Sequence, residues 1–316
     1  MSFAMRYILC SYFCFILATV YAQPVKPLLH LVKGETYYMS SSGTTATMQN
    51  IYGREHKVNL ALSFTMAFKV TNVRDTVYEM EAHYQSINMK IHMEDTSMEM
   101  NSAPKTVAGE NKAQTDTASM LIAALVNKPF AMALTVRGKV LWVKNLDNII
   151  NGAFNNFQLT DTLKKVQVQN QFKQSFGEGA FKGSLEMGIA VFPERTVAKK
   201  DKWTVYSTLS TPARANIITV YELTDITDTF FQVRGEGSII TDAGARPGEI
   251  NGMPAKYNLN GGLMADVIID RKTGWITRLT LKQLIEGEID ILDNPKIPGG
   301  TTIPMMFNTV VSITNK

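Results

Sequence analysis

The side chains with metal or redox chemistry are few, and they are poorly spaced for it. The histidines are His30, His56, His83 and His92. No two of them share one helical face, and the His-Glu-x-x-His pattern of zinc hydrolases is absent. Residues 88–100 (NMKIHMEDTSMEM) set His92 among Met89, Met93, Met98 and Met100. Soft thioethers with an imidazole suit copper. Parity points elsewhere: Met89 and Met93 fall in step with Ile87 and Ile91, as one apolar strand face, while His92 falls with Lys90 and Glu94. The methionines therefore read as packing, with copper handling as the alternative, and no metal site is assigned. Carboxylates gather near the C-terminus at Glu286, Glu288, Asp290 and Asp293. Paired acids hydrolyse glycosides, but the first three share strand parity, the pattern of a solvated face. Asp242, Asp266 and Asp270 lie in a glycine-rich stretch without the spacing of an EF-hand. No Gly-x-Ser-x-Gly elbow and no phosphate-binding loop occurs. The glycines of Gly177–Gly183 lack the Lys-Ser/Thr ending and read as a linker or helix break. No cofactor is implied.

The elements that would position any site are mainly strands. Val58, Leu60, Leu62, Phe64, Met66, Phe68 and Val70 share one parity, so Lys57–Val70 predicts a strand with one apolar face. Thr76–Met93 predicts another, with an apolar parity that switches near Ser86, the mark of a bulge. Residues 101–110 read as a loop. Residues 115–126 (TDTASMLIAALV) predict a short helix, capped by Thr115 or Asp116 and ended before Pro129. Ala131–Lys144 predicts a hairpin turning at Arg137-Gly138. Across 145–190, Leu146, Ile149, Ile150, Phe154 and Phe157 recur at helical spacing, which predicts two or three helices broken near Gly152 and Gly177. Strands resume at Trp203 and run to a last alternating stretch, Met305–Ile313. The segment Thr241–Leu263 is non-periodic and reads as a rim loop, where binding residues concentrate.

The N-terminus reads as an address. Residues 1–22 hold one charge, Arg6, then an apolar run from about Tyr7 to Val20 and small residues up to Ala22. That is the layout of a secretory signal, and the run is shorter than the roughly 20 residues of a membrane span. Cleavage at about Ala22 is expected, with an uncleaved anchor as the alternative. Both cysteines, Cys10 and Cys14, lie in this segment, and neither follows a lipoprotein-type tripeptide. The expected working chain, residues 23–316, is thus a cysteine-free single domain in the periplasm or outside the cell, without disulfides or a thiol nucleophile. It carries no later membrane-spanning run. A net charge of +4 over 316 residues gives no footprint for nucleic acid.

The body contains a duplication. Phe68–Met80 (FKVTNVRDTVYEM) aligns with Tyr221–Val233 (YELTDITDTFFQV), matching Thr71 to Thr224, Asp75 to Asp228 and Thr76 to Thr229. Each copy reads as a hairpin whose turn is set by an Asx side chain. Lys33-Gly34-Glu35 before Tyr37 and Tyr38 is echoed by Lys200-Asp201-Lys202 before Trp203 and Tyr206. The glycine turn at Gly138 is echoed at Gly274. Some ten antiparallel strands must curl, split or close. The expected fold is α+β: a large curled antiparallel sheet, half-barrel-like, of two pseudo-repeated meanders (31–144 and 192–316), with the helices of 145–190 on its concave face.

Three of these pieces resemble the DUF6263 family, uncharacterised exported bacterial proteins of the Bacteroidetes type. They are Leu31-Val32-Lys33-Gly34-Glu35-Thr36-Tyr37; Phe192-Pro193-Glu194-Arg195-Thr196-Val197 with Asp201 and Trp203; and Thr273-Gly274-Trp275-Ile276 with Gly287 and Ile303-Pro304-Met305. Asp201-Lys202 stands where the pattern has Gly-Asp before the tryptophan. The resemblance implies export and supplies no catalytic residue.

Two functional readings follow. The first is a non-enzymatic protein that takes an apolar ligand or lipid, or a protein partner, in the curled sheet. Phe64, Met66, Phe68, Met89, Met93, Trp203 and Trp275 would line the site. A cavity of about 300 Å³ or more would favour a ligand; a filled core would leave these residues as packing. The alternative is a hydrolase of cell-envelope glycans with carboxylates assembled from separate strands.

Overall fold

The computed structural model describes residues 24–94, 96–103, 117–155, 162–209, 214–250 and 252–315. The segment expected to be a signal, both cysteines and the helix cap expected at Thr115 or Asp116 lie outside the described residues. The meander of the first half is β1 (Thr36–Ile51), β2 (Arg54–Arg74), β3 (Val77–Met93), β4 (Thr96–Asn101), β5 (Phe130–Thr135) and β6 (Val140–Lys144), with helix α1 (Thr117–Ala123) before β5. Helices α2 (Leu146–Asn155), α3 (Thr162–Phe176) and α4 (Glu178–Ile189) follow. The second half is β7 (Lys202–Leu209), β8 (Ala215–Ile226), β9 (Phe230–Thr241), β10 (Gly248–Ile250), β11 (Met253–Asp270), β12 (Ile276–Ile291) and β13 (Thr301–Thr314).

All of these strands join one curled, unclosed antiparallel sheet in the order β6-β5-β3-β2-β1-β13-β12-β11-β9-β8-β7, with β4 paired to β3 and β10 to β11. The order is itself the duplication. Five strands of the first half and five of the second run in the same sequence and direction, and β13 is inserted where they meet. The turns confirm the match. Thr71 and Thr224 each sit at a register shift and donate to a carbonyl eight residues on, Glu79 O and Gln232 O. At the repeat entrances Gly34 N bonds Val70 O and Val70 N bonds Glu35 O. Lys200 N likewise bonds Leu223 O, and Leu223 N bonds Asp201 O. Gly34 and Lys200 both take positive φ there, 91° and 77°.

Where β13 joins the halves at one seam, α4 lies at the other. It packs against both edge strands, β6 and β7. The Val140 N–H donates to the buried Glu186 carboxylate at 2.8 Å, and Lys139 Nζ donates to the Tyr206 carbonyl. An uncovered edge is a template for aggregation, and a helix laid over it removes that hazard. Asp147 and Glu178 fix the helices: Glu178 N donates to Asp147 Oδ1 at 2.9 Å, and Asp147 N to Glu178 Oε1 at 3.4 Å. Each carboxylate caps the other's helix start.

The chain departs from expectation in four places. Gly152 does not break a helix; α2 runs through it to Asn155, and an isolated glycine costs a helix only about 1 kcal/mol against alanine. The rim loop is shorter than expected, because β11 begins at Met253. Residues 96–101 form β4 on the β3 edge where no strand was expected before the loop. Among the described residues, the Asp-Thr turns are not set by carboxylate bonds to the backbone. Asp75 adopts left-handed φ, 49°, whereas the second turn is held by the Thr227 hydroxyl, which accepts from Thr229 N and Phe230 N. The predicted bulge near Ser86 is present: Thr65 pairs Ser86 and Met66 pairs Tyr84, leaving Gln85 extra.

The main core lies between the concave face and the helices, with Phe68, Met80, Met132, Ile150, Phe154, Leu223 and Val267 buried in it. A second, smaller cluster around Leu259, Ile289 and Ile291 covers the far end of β11 and β12.

Candidate ligand cavity

The concave face is built from one parity of each strand. On β1 it carries Met39, Ser41, Gly43 and Thr45; across β2 these meet Met66, Phe64, Leu62 and Leu60. On the other side Ser41, Gly43 and Thr45 meet Ile313, Val311 and Thr309 of β13, which pair in turn with Leu279, Leu281 and Gln283 of β12. The last turn of α3 and the middle of α4 cross this surface with Phe176, Phe181, Leu185, Met187 and Gly188. They do not fill the space beneath. A cavity of about 250 Å³ remains, walled by those strand residues, by Tyr84 and Ile87 of β3, and by Ser175 and Ser184 of the helices. That falls just short of the roughly 300 Å³ where typical ligand pockets begin, and exceeds the ~150 Å³ engineered cavity that takes up benzene.

The wall is mostly apolar, and its polar groups are uncharged. Thr45 Oγ1 and Thr309 Oγ1 share a hydrogen bond at 3.0 Å. Gln283 Nε2 donates to Met187 Sδ at 2.9 Å. Tyr84 sits among Phe64, Phe130 and Phe181, with ring centroids 5.8, 6.3 and 6.4 Å away. Burial pushes its phenol well above the ordinary tyrosine value, so it stays neutral. Among the described residues the wall holds no Lys, Arg, His, Asp or Glu.

Of the seven residues expected to line a site, Phe64 and Met66 border this cavity. Phe68 and Trp275 lie nearer the repeat entrances, in a closed aromatic group with Tyr37 (5.3 and 5.6 Å from the indole); Trp275 Nε1 donates to Tyr38 O. Trp203 stacks on Tyr221 at 6.1 Å and donates to Val191 O. Met89 is half-buried beside the core, and Met93 is 42% exposed, beyond the cover of the helices. Sequence reasoning missed Tyr84, Gln283, Thr309 and the α4 residues. The clean parity of β13 and β12 was the available signal for Thr309 and Gln283; nothing local placed α4 opposite them.

The acids stand elsewhere. Glu286, Glu288 and Asp290 alternate onto the convex face, where Asp290 accepts from Thr302 at 2.6 Å. His56 meets Glu94 at 2.9 Å on the surface. Among the described residues no three His, Cys, Asp or Glu side chains converge as a metal ligand set. No helix there is long and apolar enough to cross a membrane.

The architecture is that of a curled antiparallel sheet whose helices partly cover an uncharged cavity on the concave side. The chain belongs to the DUF6263 family of unknown function, whose model matches residues 75–276. No curated protein matches it. Among solved structures it is similar to lipovitellin, in a structure concerned with lipid–protein interactions, at 7% identity and a TM-score of 0.47. The match covers 91% of this chain and 25% of that one, so the chain spans a quarter of lipovitellin's length. A Pseudomonas putida F1 outer-membrane channel (6% identity, TM-score 0.24, 91% and 97% covered) and the translocator domain of the autotransporter NalP from Neisseria meningitidis (6%, 0.21, 90% and 89%) are more distant in shape.

Proposed function

We propose that this is an exported, non-enzymatic protein that binds a small apolar molecule, or the apolar part of a lipid, beneath α4. One observation carries the reading: the 250 Å³ cavity between the concave face and the helices. Apolar wall groups that face a space rather than packed atoms forgo dispersion contacts, and an apolar occupant restores them. Export rests on the N-terminal segment, with its lone Arg6 and short apolar run.

The test is titration of residues 24–316 with 1-aminoanthracene, an uncharged apolar fluorophore, together with native mass spectrometry of protein purified without detergent. Saturable one-to-one enhancement and a retained mass adduct are expected. A linear, non-saturating signal with no adduct would overturn the proposal. Fractionation of the native host, with the protein in the cytosol at full sequence mass, would overturn the export part alone.

A further inference from the structure

We infer that the cavity selects an uncharged amphiphile, one carrying a hydroxyl, ester or amide, whose polar end lies on the Thr45–Thr309–Gln283 row; the inference rests on the binding function proposed above. The three residues are cross-strand neighbours on β1, β13 and β12, so they form a continuous polar line across a mostly apolar wall, apart from the hydroxyls of Ser41, Tyr84, Ser175 and Ser184. Gln283 is 9% exposed. Its Nε2 bonds only the Met187 thioether, a weak acceptor. Its Oε1 has no partner among the described residues, and no fully enclosed side-chain polar atom there lacks one. The amide's second end therefore borders open space, and the space it lines is the cavity. Whichever way the amide is turned, one end faces the sulfur and the other faces the cavity. The Thr45 and Thr309 hydroxyls satisfy one bond between them, which leaves one hydroxyl proton to donate.

The same wall argues against an anionic head. A carboxylate or phosphate moved from water into a space lined by Leu60, Leu281, Val311 and uncharged polar groups loses its hydration and meets no cation. A hydroxyl loses far less, and Gln283 with the threonine pair replaces its lost water bonds. Selection thus arises from a missing countercharge together with an unspent amide.

The experiment is displacement of 1-aminoanthracene from residues 24–316 by 1-decanol and, separately, by decanoate at pH 8. Decanol is expected to displace at a concentration about tenfold lower or better. In Gln283→Leu the decanol affinity is expected to fall about fivefold relative to the 1-aminoanthracene affinity measured in the same variant. Thr309→Val serves as the second variant and is expected to act in the same direction. Decanoate binding as tightly as decanol would overturn the uncharged-ligand inference and leave the binding function standing. Unchanged decanol affinity in both variants would overturn the polar row. Failure of 1-aminoanthracene itself to bind would remove the binding function, and this inference with it.

Discussion

The backbone N–H of Val140 and the carboxylate of Glu186 meet at 2.8 Å in a buried contact between an edge strand and a helix 46 residues away. It ties β6 to α4 at the seam that no strand pair closes. Removing the acceptor strands a buried donor, which costs about 1–3 kcal/mol. Glu186→Ala is therefore expected to lose at least that much stability in urea unfolding, and Glu186→Gln, which keeps an acceptor oxygen, to lose less. Equal losses in the two variants would show that the contact is not what holds the seam.

The two repeats are joined at their glycine hairpins by each other's neighbourhood. Gly138 (φ 78°) has the Ile189 carbonyl where a Cβ would stand, and Gly274 (φ 68°) has the Leu28 carbonyl there. The lead-in to each repeat thus presses on a glycine turn, that of repeat one on Gly274 and that of repeat two on Gly138. Gly53 has a similar φ of 79° but open space. Gly53→Ala is expected to cost only the backbone strain of about 1–2 kcal/mol, and Gly138→Ala and Gly274→Ala clearly more, because a carbonyl must also move. The comparison is made by thermal unfolding of the three variants; similar losses would refute the close approach.

Burial makes the protein sensitive to alkali. Desolvation raises the Tyr221 phenol from its ordinary value of 10.0 to about 12, against a smaller lowering by the Thr219 hydroxyl bond. Below about pH 10 both folded and unfolded phenols are protonated, and the contribution to stability is complete. As pH rises from 10 towards 12 the unfolded chain releases its proton first, so stability falls and the contribution is gone above about pH 12. Tyr84 is shifted the same way by burial. Urea midpoints are expected to drop steeply over this range, and Tyr221→Phe to flatten the drop. An unaltered slope in that variant would show that the phenol ionises without penalty.

Most of the strands and the repeat were legible because they are local or periodic. Alternation from Val58 to Val70 marks one face of β2, and the match of Thr71 to Thr224 marks equivalent positions in the two repeats. The cavity was not legible in the same way. Phe64, Met66 and Phe68 have identical parity, yet Phe68 is closed over by Trp275 and Tyr37 while Phe64 and Met66 border free space. That difference depends on where α4 crosses the sheet, which is set by Glu186, by the Asp147–Glu178 caps and by contacts spanning more than thirty residues. Met93 follows the strand pattern as well as Met89 does, but it lies past the helices and stays exposed. A period of two assigns a face; it does not say what lies above it.

Filling the cavity separates binding from folding. Val311 lies on β13 opposite Gly43 and Leu281, with its side chain on the cavity wall. Phenylalanine there extends into space that is already empty, so the usual 1–3 kcal/mol penalty of overpacking a tight core is offset by new contacts with the opposite wall. Val311→Phe is expected to keep the unfolding midpoint of the parent, or raise it slightly, and to weaken 1-aminoanthracene binding about tenfold or more. The same substitution at Leu223, which is fully buried away from the cavity, is expected to destabilise and leave the residual folded protein able to bind. If Val311→Phe lowers stability as Leu223→Phe does, the space beneath α4 is not open in solution. If it preserves both stability and binding, the ligand lies elsewhere on the sheet.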